Sequence, residues 1–389
     1  MNTTIFPRKV AIRVLGATCF LVLGIILGTG LWPFNPLPNN EVSWLQNQNG
    51  LRFGNRAIVI SRTVFRRKER SPDSPSSIEI WMEPTGTRAT GTLLAFGDAD
   101  NHHQFRLTQY GDSLVLRQTA RDDPGQKDKP TIVILHIFQN GRQKFISIIG
   151  SPAGTSVFVD GTLVATSPRL ALSQVDTSGQ LFLGTSPIYD SVWSGQIYGL
   201  AVYDRSLAAV EVLKHQQTWV QEGRPEVGRT YAPLAIYLFN ERTGNRAYNL
   251  ASTGGELYIP KRFTLPHQKF LERPWDEFRP NRSYAADVAI NVVGFVPLGF
   301  FFCLYVKSRR LNRRPELTSI LLGAGTSLLI EVLQAFLPTR SSGMTDLITN
   351  TVGTTLGVYL SGHPVVGNML VKLGVPVEGG NAAHREQDQ

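Results

Sequence analysis

Apolar positions are unevenly distributed along the chain. Val10 to Trp32 is an apolar run interrupted only by Arg13, and nothing comparable follows before residue 287. Three further runs then come close together. Val288 to Val306 is uncharged, Leu317 to Leu337 carries Glu331 as its only charge, and Leu347 to Leu360 is shorter and rich in Gly and Thr. A bilayer core takes about 20 apolar residues per helix. The pattern therefore predicts transmembrane helices over 10–32, 284–306, 317–337 and 347–366, with Pro364 able to bend or end the last. The first run is long for a signal-peptide core and no A-x-A site follows it, so it reads as an uncleaved anchor.

Between the first and second runs the pattern changes to short alternations. Ser77-Ile78-Glu79-Ile80-Trp81-Met82, Gln104-Phe105-Arg106-Leu107-Thr108 and Lys144-Phe145-Ile146-Ser147-Ile148 read as strands. Ser156 to Ala165 is the clearest hairpin, with Asp160-Gly161 suited to the positive φ angles of a type I′ turn. Many short strands separated by turn signals predict a β-sandwich over 40–225. Ser206 to Trp219 predicts the one good helix of this region, capped by Ser206, with Leu207, Val210, Leu213 and Gln217 on its buried face. Residues 226–283 form a connector open to extra strands.

Leu181-Phe182-Leu183-Gly184 and Gly195-Gln196-Ile197-Tyr198-Gly199-Leu200-Ala201-Val202-Tyr203-Asp204-Arg205-Ser206-Leu207 resemble the closing part of laminin-G-like (concanavalin A-like) jelly rolls, and Val159 to Val164 is similar to their hairpin. The resemblance implies a jelly-roll sandwich of a family that includes glycan binders, adhesion modules and glycosidases. The E-x-D-x-x-E arrangement of its glycosidase branches, which sets alternate carboxylates on one strand face, is absent. Ile236-Tyr237-Leu238-Phe239-Asn240-Glu241 resembles the segment that often opens such sandwiches, although here it follows one.

Composition changes the picture in one respect. Mean hydropathy is −0.08 and the formal charge is +9, values that fit a basic soluble protein. Much of that excess is local, however: Lys307, Arg309, Arg310, Arg313 and Arg314 share one loop, and Arg8, Lys9 and Arg13 lead the first run. Basic residues at helix ends mark the cytoplasmic side. The expectation is a multi-pass protein of the bacterial plasma membrane with residues 1–9, the loop 307–316 and a disordered tail 374–389 inside, and residues 33–286 and 338–346 outside. The charge is then a topology signal that calls for no nucleic-acid partner. Cys19 and Cys303 lie in apolar runs and supply neither a disulfide framework nor a Cys-rich metal site.

The sharpest chemistry lies at the outer ends of the helices. Asp287 and Asn291 are four apart, Glu331 and Gln334 three apart, and Asp346 and Asn350 four apart, each pair on one helix face, with Arg340 in the loop between the last two helices. The topology brings all seven to similar depth. A carboxylate at mid-span costs about 2.5–3.5 kcal/mol on insertion scales, so intramembrane ionisable groups point to function. Asp287, Glu331 and Asp346 are the catalytic candidates, and Asn291, Gln334, Arg340 and Asn350 the binding candidates. Interhelical hydrogen bonding is the structural alternative. Elsewhere, Asp98 and Asp100 beside His102-His103 are weak candidates for Ca²⁺ or a transition metal, and since two carboxylates fall short of calcium's six to eight oxygens the segment reads as a solvated loop. Arg66-Arg67-Lys68-Glu69-Arg70 reads as a solvated loop, with contact to anionic polymers or lipid headgroups as the alternative, and Trp81 and Trp193 as sugar-stacking or buried aromatics.

The blocks Asp287-x₃-Asn291-x₃-Phe295-x-Pro297-x-Gly299, Glu331-x₂-Gln334-x-Phe336-x₃-Arg340-Ser341 and Asp346-x₃-Asn350-x₂-Gly353-x₃-Gly357 resemble the VanZ family in content and order over about residues 284–362. Trp32-Pro33-Phe34 is similar to the end of that family's first helix, which makes the sandwich an insertion between its first two helices. The type member is linked to low-level teicoplanin resistance, so the resemblance implies a role in the cell envelope. Three functions follow as expectations. The first is an envelope protein whose sandwich binds a surface glycan or protein while the membrane part engages membrane lipid or a lipid-linked precursor. The second is a membrane enzyme or lipid transporter working through Asp287, Glu331, Arg340 and Asp346. The third is an adhesion protein with an inert anchor.

Overall fold

A computed structural model describes residues 7–65, 74–87, 90–97, 104–118, 130–139, 141–187, 192–223, 233–251, 255–265, 270–278, 282–338 and 340–366. The chain divides into two compact units, Leu37–His267 and the combination of Met1–Pro36 with Gln268–Gln389.

The unit Leu37–His267 is an all-β sandwich carrying one helix. Its strands in chain order are β1 (Val42–Trp44), β2 (Leu51–Phe53), β3 (Val59–Ser61), β4 (Ser77–Pro84), β5 (Thr90–Gly97), β6 (Gln104–Tyr110), β7 (Ser113–Gln118), β8 (Thr131–Ile134), β9 (Lys144–Ser151), β10 (Gly154–Val159), β11 (Thr162–Ser167), β12 (Gln180–Leu183), β13 (Gly195–Tyr203), β14 (Ala235–Tyr237), β15 (Arg246–Ala247) and β16 (Leu257–Tyr258). One sheet runs β1-β2-β13-β4-β9-β10-β11, with β14 also on β13; the other runs β15-β16-β3-β12-β5-β6-β7-β8. The segment that the sequence left open thus supplies strands to both sheets. Inward residues such as Ile78, Ile80 and Met82 of β4, Phe105 and Leu107 of β6, and Ile146 and Ile148 of β9 fill one core between the sheets. The hairpin β10–β11 turns on Asp160 and Gly161 at φ 51° and 79°, both positive as a type I′ turn requires. Trp193 is completely buried, with its indole N–H donating to Gln109 Oε1 at 2.8 Å. It is a core residue and offers no ring face to a sugar.

The first helix of this unit in the chain, α2 (Ala209–Glu222; α1 precedes the sandwich at Arg8–Leu31), differs from expectation in its buried face. Val212, His215 and Trp219 point inward, whereas Val210 is 73% and Leu213 46% exposed. A polar anchor sets the rotation. Glu79, buried on β4, meets His215 Nδ1 at 2.9 Å through Oε2, and the same oxygen accepts the Tyr203 hydroxyl at 2.9 Å. Its other oxygen accepts Ser147 at 3.2 Å. A buried carboxylate must be paired, and that requirement outweighs the burial of two aliphatic side chains. Burial, together with the Glu79 charge, raises the pKa of the Tyr203 phenol well above its ordinary value, so it serves as a donor. Trp219 lies over Gly199, where an added Cβ would strike the indole ring. The helix start also differs: Ser206 makes no cap, and Glu211 closes the first turn by accepting the Ala208 N–H at 2.7 Å.

The second unit is helical. Besides α1 it contains α3 (Pro274–Glu277), α4 (Arg282–Arg309), α5 (Pro315–Gln334) and α6 (Met344–Ser361). By length and composition α1, α4 and α5 suffice to cross a membrane. α6 is 18 residues long and more polar. It stops at Ser361, short of the expected 366, and α5 stops at Gln334, short of 337. α4 and α6 approach through glycine. A Cβ on Gly353 or Gly357 would strike the carbonyl oxygen of Val292 or Val296, and one on Gly299 the carbonyl of Thr354. α1 packs Ala11 and Leu15 near Leu304, and Ile26 against Phe295, Leu298 and Ile330. Residues 66–70, Asp98, Asp100, His102, His103 and the tail 374–389 lie outside the described residues.

Two outcomes are expected. His215→Ala strips Glu79 of a partner in a dry site and lowers stability by about 3 kcal/mol, read as a fall in the melting temperature of the purified protein, whereas Leu213→Ala on the exposed face changes it little. Gly353→Leu forces α4 and α6 apart and costs about 1–3 kcal/mol by the same measurement. Gly294→Leu, where no atom lies within 4 Å of an added Cβ, is the matched control.

Candidate functional site

The polar residues of the helical unit divide into three sets. The first lies at the start of α6. Asp346 Oδ1 accepts Asn291 Nδ2 at 2.7 Å, joining α6 to α4 beside the Gly353–Val292 contact. Asp287, one turn earlier on α4 and exposed, is within electrostatic reach of Asp346, as is Arg340. Glu331, 1% exposed near the end of α5, accepts the Gly343 N–H through Oε2 at 2.8 Å. The α5–α6 turn is thereby bound to the helix it leaves.

A fourth carboxylate, outside the apolar runs and absent from the candidates above, belongs to this set. Glu277, the last residue of α3, accepts the Thr345 N–H through Oε2 at 3.0 Å. Its neighbours include both Glu331 and Asp346. The preceding segment is fixed to the same turn by backbone: Glu272 N donates to Ser342 O at 3.0 Å, and Met344 N to Glu272 O at 2.9 Å. The usable signal was Pro274-Trp275, a proline at a helix start beside an interfacial type of aromatic, just before a span.

The second set turns away. Gln334 Nε2 donates to the Gly30 carbonyl of α1 at 2.8 Å, and the Arg340 guanidinium donates to the Trp32 carbonyl. These residues tie the end of α5 and the following turn to the end of α1, and Arg340 alone also borders the carboxylates. The third set is Asn350, buried one turn below Asp346, whose Nδ2 donates to Ser327 Oγ on α5 at 2.9 Å. Its Oδ1 has no partner among the described residues. The structure therefore gathers Asp287, Asn291, Glu331 and Asp346 with Arg340 at the rim, adds Glu277, and sets Gln334 and Asn350 apart.

Comparison with known proteins bears on both units. The VanZ/LLP1 family model matches residues 212–363, and the concanavalin A-like lectin/glucanases superfamily model matches residues 62–213. The helical part is VanZ-like. The VanZ-like match starts inside α2 and so also takes in β14–β16, well upstream of the 284–362 stretch whose motifs carry the resemblance. Among solved structures, the chain is similar to the CBM40 of the Ruminococcus gnavus IT-sialidase bound to α2,3-sialyllactose, at 16% identity over 43% of this chain and 95% of that one, TM-score 0.34. It is also similar to the SAP-like pentraxin of Limulus polyphemus, at 14% identity over 56% and 93%, TM-score 0.34, and to the receptor binding domain of botulinum neurotoxin D, at 9% identity over 54% and 61%, TM-score 0.36. No curated protein matches the chain. With its VanZ-like match and its apolar helices, the chain is a membrane protein.

The Asn291–Asp346 bond can be checked by exchange. Asn291→Asp sets two carboxylates face to face and is expected to lower the melting temperature more than Asn291→Ala does. Adding Asp346→Asn to Asn291→Asp restores a donor and an acceptor and recovers most of the loss, a non-additivity that only direct contact produces.

Proposed function

We propose that the VanZ-like part holds the headgroup of a lipid-linked envelope molecule at the outer leaflet of the bacterial plasma membrane, and that the sandwich, also outside, docks on a surface glycan or protein. The observation that carries this is the gathering of Glu277, Asp287, Glu331 and Asp346 with Arg340 around one turn. The basic residues Lys307, Arg309, Arg310, Arg313 and Arg314 lie at the opposite ends of α4 and α5, which supports an outer position for the cluster by the positive-inside rule. α6 then serves as a fourth span, with both termini in the cytoplasm.

The chemistry narrows the headgroup. Four carboxylates against one guanidinium leave a formal charge of −3, which favours a cationic group. Among the described residues no three His, Cys, Asp or Glu converge to hold a metal ion. An ammonium group suits this spread of acceptors, and Arg340 beside it suits a phosphate. The best match is a headgroup bearing both, as in an amine-containing phospholipid or precursor. A second reading, in which the carboxylates only hold the turn, draws on the Gly343 and Thr345 N–H bonds.

Nanodiscs containing the full chain with phosphatidylethanolamine or phosphatidylglycerol separate the two. Native mass spectrometry is expected to show preferential retention of phosphatidylethanolamine, reduced about tenfold by Asp287→Asn and by Arg340→Ala. Equal retention of both lipids, unaffected by either substitution in a folded protein, leaves only the turn-holding role.

A further inference from the structure

α3 is a single helical turn whose two sides differ in kind. Glu277 faces the α5–α6 turn, where it accepts the Thr345 N–H at 3.0 Å, and Pro274, three residues earlier, is partly buried. Trp275 and Phe278, also three apart, are 71% and 62% exposed, and Phe270 just before them is exposed as well. A carboxylate bonded inward with the largest apolar side chains outward reverses the order expected of a surface in water.

The other helix ends on this side repeat the feature. Trp32, 73% exposed, and Phe34 follow α1 directly, and Phe336, 69% exposed, lies two residues past α5. These rings gather at the end of the bundle that carries Glu331, Asp346 and Arg340. Near the opposite ends, beside the basic loop, Tyr359 is the only exposed aromatic among the described residues. Trp and other amphipathic rings concentrate at headgroup level, where membrane meets water. Arg273 supplies the matching cation, its guanidinium carbon 5.8 Å from the centroid of the Trp275 ring. Such a pair keeps the charge among water and lipid phosphates while the ring enters the apolar layer.

Continuity decides what covers these rings. α4 begins four residues after Phe278, and its exposed Ile290 and Val293 belong to a helix long and apolar enough to cross a membrane. The segment is also held at the end of the spans: Glu272 N donates to Ser342 O at 3.0 Å and Met344 N to Glu272 O at 2.9 Å, besides the Glu277 bond. The exposed side of α3 therefore continues the lipid-facing surface of the bundle.

We propose that the segment 270–278 lies in the plane of the membrane interface at the carboxylate end of the bundle, with Trp275 and Phe278 seated among lipid headgroups, so that membrane contact holds Glu277 on the α5–α6 turn. The proposal adds a membrane contact outside the spans and does not depend on which headgroup the carboxylates take.

The test uses the full chain in phosphatidylcholine nanodiscs, with the buried cysteines removed by Cys19→Ala and Cys303→Ala. A nitroxide is placed in turn by Trp275→Cys, Phe278→Cys, Val293→Cys within a span and Tyr110→Cys on the exposed side of β6. Collisions with oxygen, which concentrates in lipid, and with a water-soluble nickel chelate report depth. The oxygen-to-nickel ratio at 275 and 278 is expected to be about threefold above that at 110 and below that at 293. A ratio equal to that at 110 puts the rings in water, and one equal to that at 293 puts them in the hydrocarbon core; either overturns the proposal. Protection from both reagents marks cover by protein and overturns it too. Trp275→Phe needs no label: the share of fluorescence that it removes is expected to be quenched about twofold by lipid brominated near the headgroup. No quenching of that share, in a variant with unchanged circular dichroism, overturns the proposal even where a labelled variant fails to fold.

Discussion

The approach of α4 and α6 through Gly353, Gly357 and Gly299 sets the scale for that end of the helical unit. With no side chain on either surface, backbone carbonyls of Val292, Val296 and Thr354 fill the space that a Cβ would need. Close backbone packing through small residues holds these two helices together. The same closeness lets a short Asn side chain reach a short Asp side chain: Asn291 and Asp346 meet at 2.7 Å. Were the helices separated by ordinary side chains, these groups would need to be Gln and Glu. The choice of short polar residues and the glycines two and three turns below them are one design.

Burial of carboxylates imposes the same discipline on both units. Glu79 in the sandwich and Glu331 in the helical part are both essentially buried. Glu79 is met by side chains from three other segments: Ser147, Tyr203 and His215. Glu331 is met by the Gly343 backbone N–H. In each case the carboxylate organises its surroundings. Glu79 decides which face of α2 turns inward, and Glu331 decides where the chain goes after α5. A buried carboxylate left without partners costs several kcal/mol, while the exposed Val210 and half-exposed Leu213 forfeit about 2–3 kcal/mol between them.

This explains what was readable in the sequence. The helices α1, α4 and α5 were legible because they are long apolar runs, and β6 because its inward residues alternate with polar ones over 104–110; β4 alternates only in part, since α2 covers its second face. The Asp160-Gly161 turn was legible because few residues tolerate positive φ. The face of α2 was not, since its anchor lies 136 residues away on β4, and hydrophobic periodicity carries no record of a distant carboxylate. Glu277 was hidden for a related reason: it enters from outside the apolar runs, where acidic residues are common and unremarked. Gln334 shares a helix face with Glu331 yet reaches α1, because α5 ends at Gln334 and its last side chain faces the neighbouring helix end rather than the turn.

The hydrogen bonds at the cluster leave capacity for an occupant. An ionised carboxylate has about four acceptor sites. Glu331 accepts from the Gly343 N–H and from the Ser342 side chain, Glu277 from the Thr345 N–H and Asp346 from Asn291. These donors are neutral, so they position the oxygens without cancelling their charge. Arg340 supplies a cation beside them, and part of its fork goes to the Trp32 carbonyl. A turn built only for stability would pair such charges with a second guanidinium or replace them with amides, as Asn350 and Ser327 do one turn lower. Carboxylate oxygens positioned by neutral donors beside a single described guanidinium are what the proposed headgroup site would use.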